Sequence, residues 1–350
     1  MTLPDPVSGE GKLRPAQAGG WAWLRSPSLR AVLTGLLVGA LIALLAGQNP
    51  LRIAGELFRG ALLDGNLSQT LNWSIGLVGM TLVAAIPLRG GLVNLGGDGQ
   101  LVVGGLVAAL VALYLPLPGA ARTLLAVLAA MLSAGGYAAL AALGQTLFRV
   151  PLLITSLLLS YPARGVASYL VRFPLKDPAS GLPETARIAA EARIPQLLDG
   201  TLEAGILVIG VVAVLAVVLD RRSVPGFELR LRGLNPRFVQ YAGTRLGGQT
   251  LGVMLISGAL AGLVGALLVL GSQYRFTDNA LISPGYTYAG LMAALLAGGA
   301  PLGAVLAGFF FAALQIGGFA MERATGVPRV LTQVLQAVII LALALRSGKG

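Results

Sequence analysis

Apolar runs without a single charge recur along this chain at close to the length that crosses a bilayer. They occupy residues 31–47, 65–88, 99–121, 123–148, 204–219, 246–274 and 330–345. A helix rises about 1.5 Å per residue, so roughly 20 residues cover a hydrocarbon core of about 30 Å. Residues 150–171 form a further candidate with Arg164 inside it. The run 279–321 is too long for one crossing and is divided by "GGAPLG" at 298–303. The pattern predicts an all-α polytopic membrane protein with about ten transmembrane helices. Composition removes the soluble alternative: 56% of the residues are hydrophobic and 11% charged, against about 25% charged in ordinary soluble domains. So few charges could not cover a soluble surface.

The stretch ahead of the first run, residues 1–28, is rich in proline and glycine and has no compact signal-peptide pattern. It is expected as a cytoplasmic tail, and residues 29–346 as the membrane domain. Ten crossings put both termini on one side. With the termini inside, 14 Lys and Arg residues face the cytoplasm and 10 face out, with Arg164 in a span. Four of the outer ones lie in the long loop 172–201, where the positive-inside rule weakens. The inner loop 220–249 alone carries Arg221, Arg222, Arg230, Arg232, Arg237 and Arg245. Both termini are therefore predicted cytoplasmic.

Several chemistries drop out. The chain has no Cys and no His, so thiol chemistry, the commonest catalytic base and the commonest transition-metal ligand are all missing. No metal site or catalytic residue is expected. The net charge of +11 comes mostly from Arg at the ends of apolar runs, which fits membrane flanks better than nucleic-acid binding.

Two polar stretches remain. "GGLVNLGGDGQLVVGGLVAALVAL" (90–113) sets one acid, Asp98, among glycines at the mouth of an apolar segment. Asn94, Asp98 and Gln100 there could open a broken helix that lines a transport path. Alternatively, Asp98 caps a helix running from Gly99, close to the positive end of its dipole. "GLVAAL" (105–110) and "GLMAAL" (290–295) differ at one position, and both adjoin Gly-rich interruptions in opposite halves. Matched breaks of that kind point to a transport site, although a chain so rich in Gly, Ala, Leu and Val also matches itself by chance. Arg164, beside Tyr161-Pro162, either snorkels to an interface or pairs with an acid.

The second stretch is the inner loop. Pro225-Gly226 and Asn235-Pro236 are turn signals, and Asn235 followed by Pro236 suits the start of a short helix ending at Gly243. Phe238 and Tyr241 fall three apart, on one face of it. Such a helix either docks a soluble partner or lies on lipid headgroups. In the docking case the surrounding arginines, Arg230 and Arg232 among them, would steer the encounter.

The loop and the helix after it resemble bacterial ABC importer permeases of the nucleoside and simple-sugar (ribose-type) family. The residues are Gly226-Phe227-Glu228-Leu229-Arg230, Gly233-Leu234-Asn235-Pro236, Tyr241-Ala242-Gly243 and Ser257 to Gly265. Asn94, Gly96, Asp98, Gly99 and Gln100 are similar to the family's Asn-x-Gly-x-Glu-Gly-Gln signature, with Asp98 for the usual Glu. Segments 286–314 and 326–345 resemble its later helices, so the likeness runs from about residue 30 to the C-terminus. Gln100 and the long 172–201 loop are most like the longer permease type of nucleoside importers. Ser160 stands in the fifth span, where the family usually has an Asn nearby.

The resemblance implies an ABC importer permease fold with broken helices, working in the bacterial plasma (inner) membrane by alternating access. Its implied partners are cytoplasmic ABC ATPase subunits, a second permease subunit, and an extracytoplasmic substrate-binding protein. No cofactor is expected in this chain, with ATP bound by the partner. The residues agree: no phosphate-binding Gly-x-x-x-x-Gly-Lys-Ser/Thr loop occurs anywhere. A stand-alone secondary carrier or channel is the alternative, and it would more often show several intramembrane acids or histidines. An intramembrane hydrolase ranks third.

Overall fold

The computed structural model describes residues 27–347 apart from 46, 64 and 199. Except for its last two residues, the tail expected over 1–28 lies outside them. Among the described residues the regular structure is helical apart from one short hairpin, β1 (Gln196–Leu197) with β2 (Leu202–Glu203), and an isolated bridge between Glu184 and Thr277. The helices in order are α1 (Pro27–Leu45), α2 (Pro50–Leu62), α3 (Leu67–Arg89), α4 (Gly97–Tyr114), α5 (Gly119–Phe148) and α6 (Leu152–Arg172). They continue with α7 (Gly205–Arg222), α8 (Val224–Leu234), α9 (Pro236–Tyr241), α10 (Leu246–Leu268), α11 (Tyr286–Leu296), α12 (Pro301–Thr325) and α13 (Val330–Ser347).

Each of the ten apolar segments holds one helix: α1, α3 to α7 and α10 to α13. Length and apolarity do not reach the same number. Among the described residues five helices are long and apolar enough to cross a membrane: α3, α4, α5, α12, and α10 with its continuation to Gln273. A sixth arises if α1 and α2, bent by 119°, count as one span. Three of the other five fall short for local reasons. Pro162, Arg164 and three serines dilute α6, α7 ends in Asp220-Arg221-Arg222, and α11 has only 11 residues.

Two helices were not expected. In α2 the Asn49 carboxamide accepts from the Leu51 N–H at 2.9 Å, and Pro50 follows at the first turn. Ile53, Gly60 and Ala61 face inward while Leu51 and Phe58 stay exposed. Arg52, Glu56 and Arg59 keep this stretch out of the uncharged apolar runs. The second is α8, where Pro225 begins a helix rather than a turn because the Ser223 hydroxyl accepts from the Gly226 N–H at 3.1 Å.

At the centre lie α3 and α10, the most deeply buried of the long helices. Lipid offers no hydrophobic drive for helices to associate, so close approach through small residues takes its place. On α10, Gly258 and Gly262 lie against the Ala130 and Ala134 turns of α5, and Gly265 lies against Leu101 and Gly105 of α4. A Cβ at Gly258 would stand 2.5 Å from the Ala134 carbonyl oxygen, well inside van der Waals contact. The two similar hexapeptides occupy equivalent places. Gly105 opens the first and lets α4 close on α10, where a Cβ on Gly265 would sit 2.7 Å from its nitrogen. Gly290 opens the second and lets α11 close on α3, 2.7 Å from the Met80 carbonyl carbon by the same measure. Each half thus lays a helix that follows a break onto the long central helix of the other.

The long loop 172–201 straps the end of α10. Backbone bonds run from Ile194 to Leu270 at 3.0 Å, Ile188 to Tyr274 at 2.8 Å, Thr185 to Phe276 at 3.0 Å, and Asp278 to Pro183 at 3.0 Å. Glu184 pairs with Arg275, and the Arg193 guanidinium lies 4.6 Å from the Tyr274 ring centre. Glu203 closes the loop. Burial pushes its carboxyl up to about 7, because removal from water disfavours the charged form.

Candidate functional site

The segment between α3 and α4 is a break packed from four sides. A Cβ on Gly97 would strike Thr287 of α11 and Met80 of α3, and one on Gly99 would lie 2.7 Å from the Ser160 Cα of α6. Asn94 and Gln100 pair end to end across it. The Asn94 Nδ2 donates to Gln100 Oε1 at 2.9 Å, and Gln100 Nε2 donates back to Asn94 Oδ1 at 3.1 Å. Asn94 Nδ2 also donates to Ser257 Oγ on α10 at 2.9 Å, and that hydroxyl donates to the Val83 carbonyl of α3 at 2.7 Å. Asn94 and Gln100 are buried, as is Ser257. This closed network ties the break to α3 and α10, as a polar group held away from water requires.

Asp98 does not cap α4. The cap position falls on Gly96, and Asp98 sits inside the first turn. Other acceptors serve the backbone at this end: Gly96 donates to Asn94 Oδ1 at 2.9 Å, Leu95, just ahead of the cap, to Ser156 Oγ at 3.1 Å, and Gly99 to Ser160 Oγ at 3.4 Å. The serines of a neighbouring helix therefore do the work expected of Asp98. Its carboxylate keeps the favourable end of the helix dipole, is 5% exposed, and takes no hydrogen bond or ion pair among the described residues. The Thr287 hydroxyl, packed against Gly97, is buried and likewise unpartnered. Sequence reading missed Thr287, since nothing local marks one threonine in an apolar run.

In the Arg-rich loop between α7 and α10, Asn235 is the N-cap of α9, its Oδ1 accepting from the Phe238 N–H at 3.1 Å, with Pro236 at the first position. The helix ends at Tyr241, and Gly243 supplies the positive φ of 95° that turns the chain towards α10. Val239 points inward at 2% exposure, while Phe238 is 57% and Tyr241 91% exposed. Leu234 and Phe227 extend that apolar surface onto α8. Arg232 is not a steering charge. It is buried, donating to the Leu246 carbonyl at 3.0 Å, to Gln249 Oε1 at 3.3 Å and to Thr250 Oγ1 at 2.7 Å, so it pins α8 to the start of α10. Arg230 lies 3.5 Å from Asp220, which also holds Arg89 at 3.0 Å.

No group of three or more acidic, His or Cys residues suited to a metal occurs among the described residues. Residues 66–344 match the family model described as branched-chain amino acid transport system / permease component. The chain is 34% identical to the glucose ABC transporter permease protein of Haloferax volcanii, over 92% of this chain and 88% of that one. It is 32% identical to the guanosine ABC transporter permease protein of Bacillus subtilis, over 90% and 92%. It is 28% identical to the nucleoside ABC transporter permease protein of Lactococcus lactis subsp. cremoris, over 91% and 90%. These relatives are transporter components rather than enzymes.

Proposed function

The chain belongs to the branched-chain amino acid transport system / permease component family, and from that premise we propose that it is the membrane-spanning subunit of an ATP-driven ABC importer for nucleosides or related simple-sugar solutes. The observation that carries this reading is likeness along nearly the whole chain to permeases named for guanosine, nucleosides and glucose. The chain works beside a second permease subunit. An extracytoplasmic binding protein delivers the solute to the outer strap, and cytoplasmic ATPases bind the ATP and dock on α8 and α9. Alternating access follows as their motion is passed through Arg232 to α10. At the break, Asn94 and Gln100 hold the backbone open to the path, and Asp98 with Thr287 meets the solute.

A reconstituted importer should take up solute only when ATP is hydrolysed by the ATPase subunits, and uptake should survive collapse of the proton gradient. Uptake by this chain alone, driven by a proton or sodium gradient, would replace the proposal with a secondary carrier.

The proposed topology has ten spans in the plasma (inner) membrane with both termini cytoplasmic, one span for each helix-bearing apolar segment. Because the chain lacks cysteine, single Cys residues at the exposed positions Ala179 and Arg222 test it directly. An impermeant thiol reagent on intact cells should mark position 179 alone. Marking at 222 would invert the orientation.

A further inference from the structure

Along α6 a polar residue stands at every fourth position: Ser160, Arg164, Ser168 and Arg172. Residues spaced by four lie one above another on a helix, so the four form a line down one side. Its inner end is the Ser160 hydroxyl that receives the Gly99 N–H. At its outer end, Asp278 Oδ2 accepts from Arg172 at 2.6 Å and from the Ser168 hydroxyl at 3.0 Å. Arg164, between them, has no hydrogen bond or ion pair among the described residues. It lines a cavity of about 380 Å³, walled by α6, by Val102 of α4 and by residues 276–282.

The charges there do not balance. Arg172 and Asp278 neutralise each other and leave one guanidinium over, eight residues or about 12 Å further along the helix from Arg172. An unpaired cation at membrane depth is costly, and a ligand that pairs with it offsets the cost. Guanidinium also has a shape preference: two parallel N–H groups fit a carboxylate, a phosphate, or the oxo and ring-nitrogen edge of a purine. Hydroxyl groups do not present such a rigid, coplanar pair of acceptors.

We propose that this cavity is a solute site on the way from the outside to the break before α4, and that Arg164 selects solutes presenting a paired acceptor edge over those bearing hydroxyls alone. The assignment rests on the import reading and adds the substrate's chemistry to it.

Gly165, on the same wall, has open space around a Cβ, so Gly165→Cys places one thiol in the cavity of a chain that has no other. In membranes at low salt, a sulfonate-bearing thiosulfonate should label it about tenfold faster than the trimethylammonium counterpart. Adding Arg164→Gln should erase that preference, and Arg164→Lys should keep it. Equal rates, or an unreactive thiol because lipid or a neighbour fills the cavity, would overturn the assignment. In the reconstituted importer, Arg164→Gln should lower uptake of guanosine and glucuronate relative to glucose by about tenfold, with ATPase co-purification unchanged. An unchanged ratio would equally refute it. If wild-type uptake proves independent of ATP, the import reading falls, while the labelling rates still judge the cavity.

Discussion

Replacing Phe238 and Tyr241 together by alanine should strip the ATPase from the solubilised permease while leaving the permease inserted and folded. The two rings stand on the outer face of α9, 57% and 91% exposed, while Val239 between them holds the helix to the protein. Buried aromatic anchors commonly contribute about 2 kcal/mol or more each to an interface, so losing both should lower affinity by a factor of roughly a thousand. Detergent solubility, elution volume and melting temperature should change little, since neither side chain belongs to the core. Arg232→Gln should do the reverse. It leaves the aromatic face intact but frees α8 from the Leu246 carbonyl and Thr250, so thermal stability should drop first. If the double alanine variant still co-purifies with the ATPase but inserts poorly, α9 lies on lipid and the docking role is lost.

Gly262→Leu should leave no folded permease to assay. The position faces the Ala130 and Ala134 turn of α5 on one side and Gly104 of α4 on the other, with a Cβ already 2.7 Å from that of Ala134. Inserting extra methylenes into a well-packed core typically costs about 1–3 kcal/mol. Here the nearest obstacle is the α5 backbone at Ala130, which cannot swing aside like a side chain, so α5 and α10 must separate and the cost should exceed that range. Gly136→Leu is the matched control. It lies on α5 one residue from the packed Gly135, yet nothing stands within 4 Å of its Cβ, and removing a helical glycine there is favourable by about 0.5–1 kcal/mol. Size-exclusion profiles and melting temperatures of the two should diverge sharply. A monodisperse, normally melting Gly262→Leu protein would show that the α4–α5–α10 contact is looser than described.

Much of this was legible in local sequence. The solvent, the apolar segments and the α9 cap each depend on residues close together in the chain, where transfer free energies and turn preferences add without regard to neighbours. The span count was less legible: charge, proline or brevity takes α6, α7 and α11 below the length and apolarity that mark a crossing. Two helices escaped for a related reason: α2 carries Arg52, Glu56 and Arg59 on its polar side, and Pro225 looked like a turn until Ser223 was seen to cap α8.

What a single polar residue does was decided in three dimensions. Asp98 stood alone in its run, and its sequence suited either a place on a path or the cap of its own helix. Yet the hydroxyl that meets Gly99 belongs to Ser160, 61 residues away, and Asn94 reaches Ser257 across 163. Arg230 and Arg232 looked alike in an Arg-rich loop until one proved solvent-side beside Asp220 and the other buried on α10. The sequence by itself determined that this chain lives in a bilayer, where its ten apolar segments lie along it, and which family's signatures it carries. Transfer into hydrocarbon is additive over a segment, and segment composition is enough to read it. The tertiary structure alone decided which polar groups are satisfied and which are left without a partner. A hydrogen bond forms or fails over less than an ångström, and no local preference specifies which helices will be neighbours.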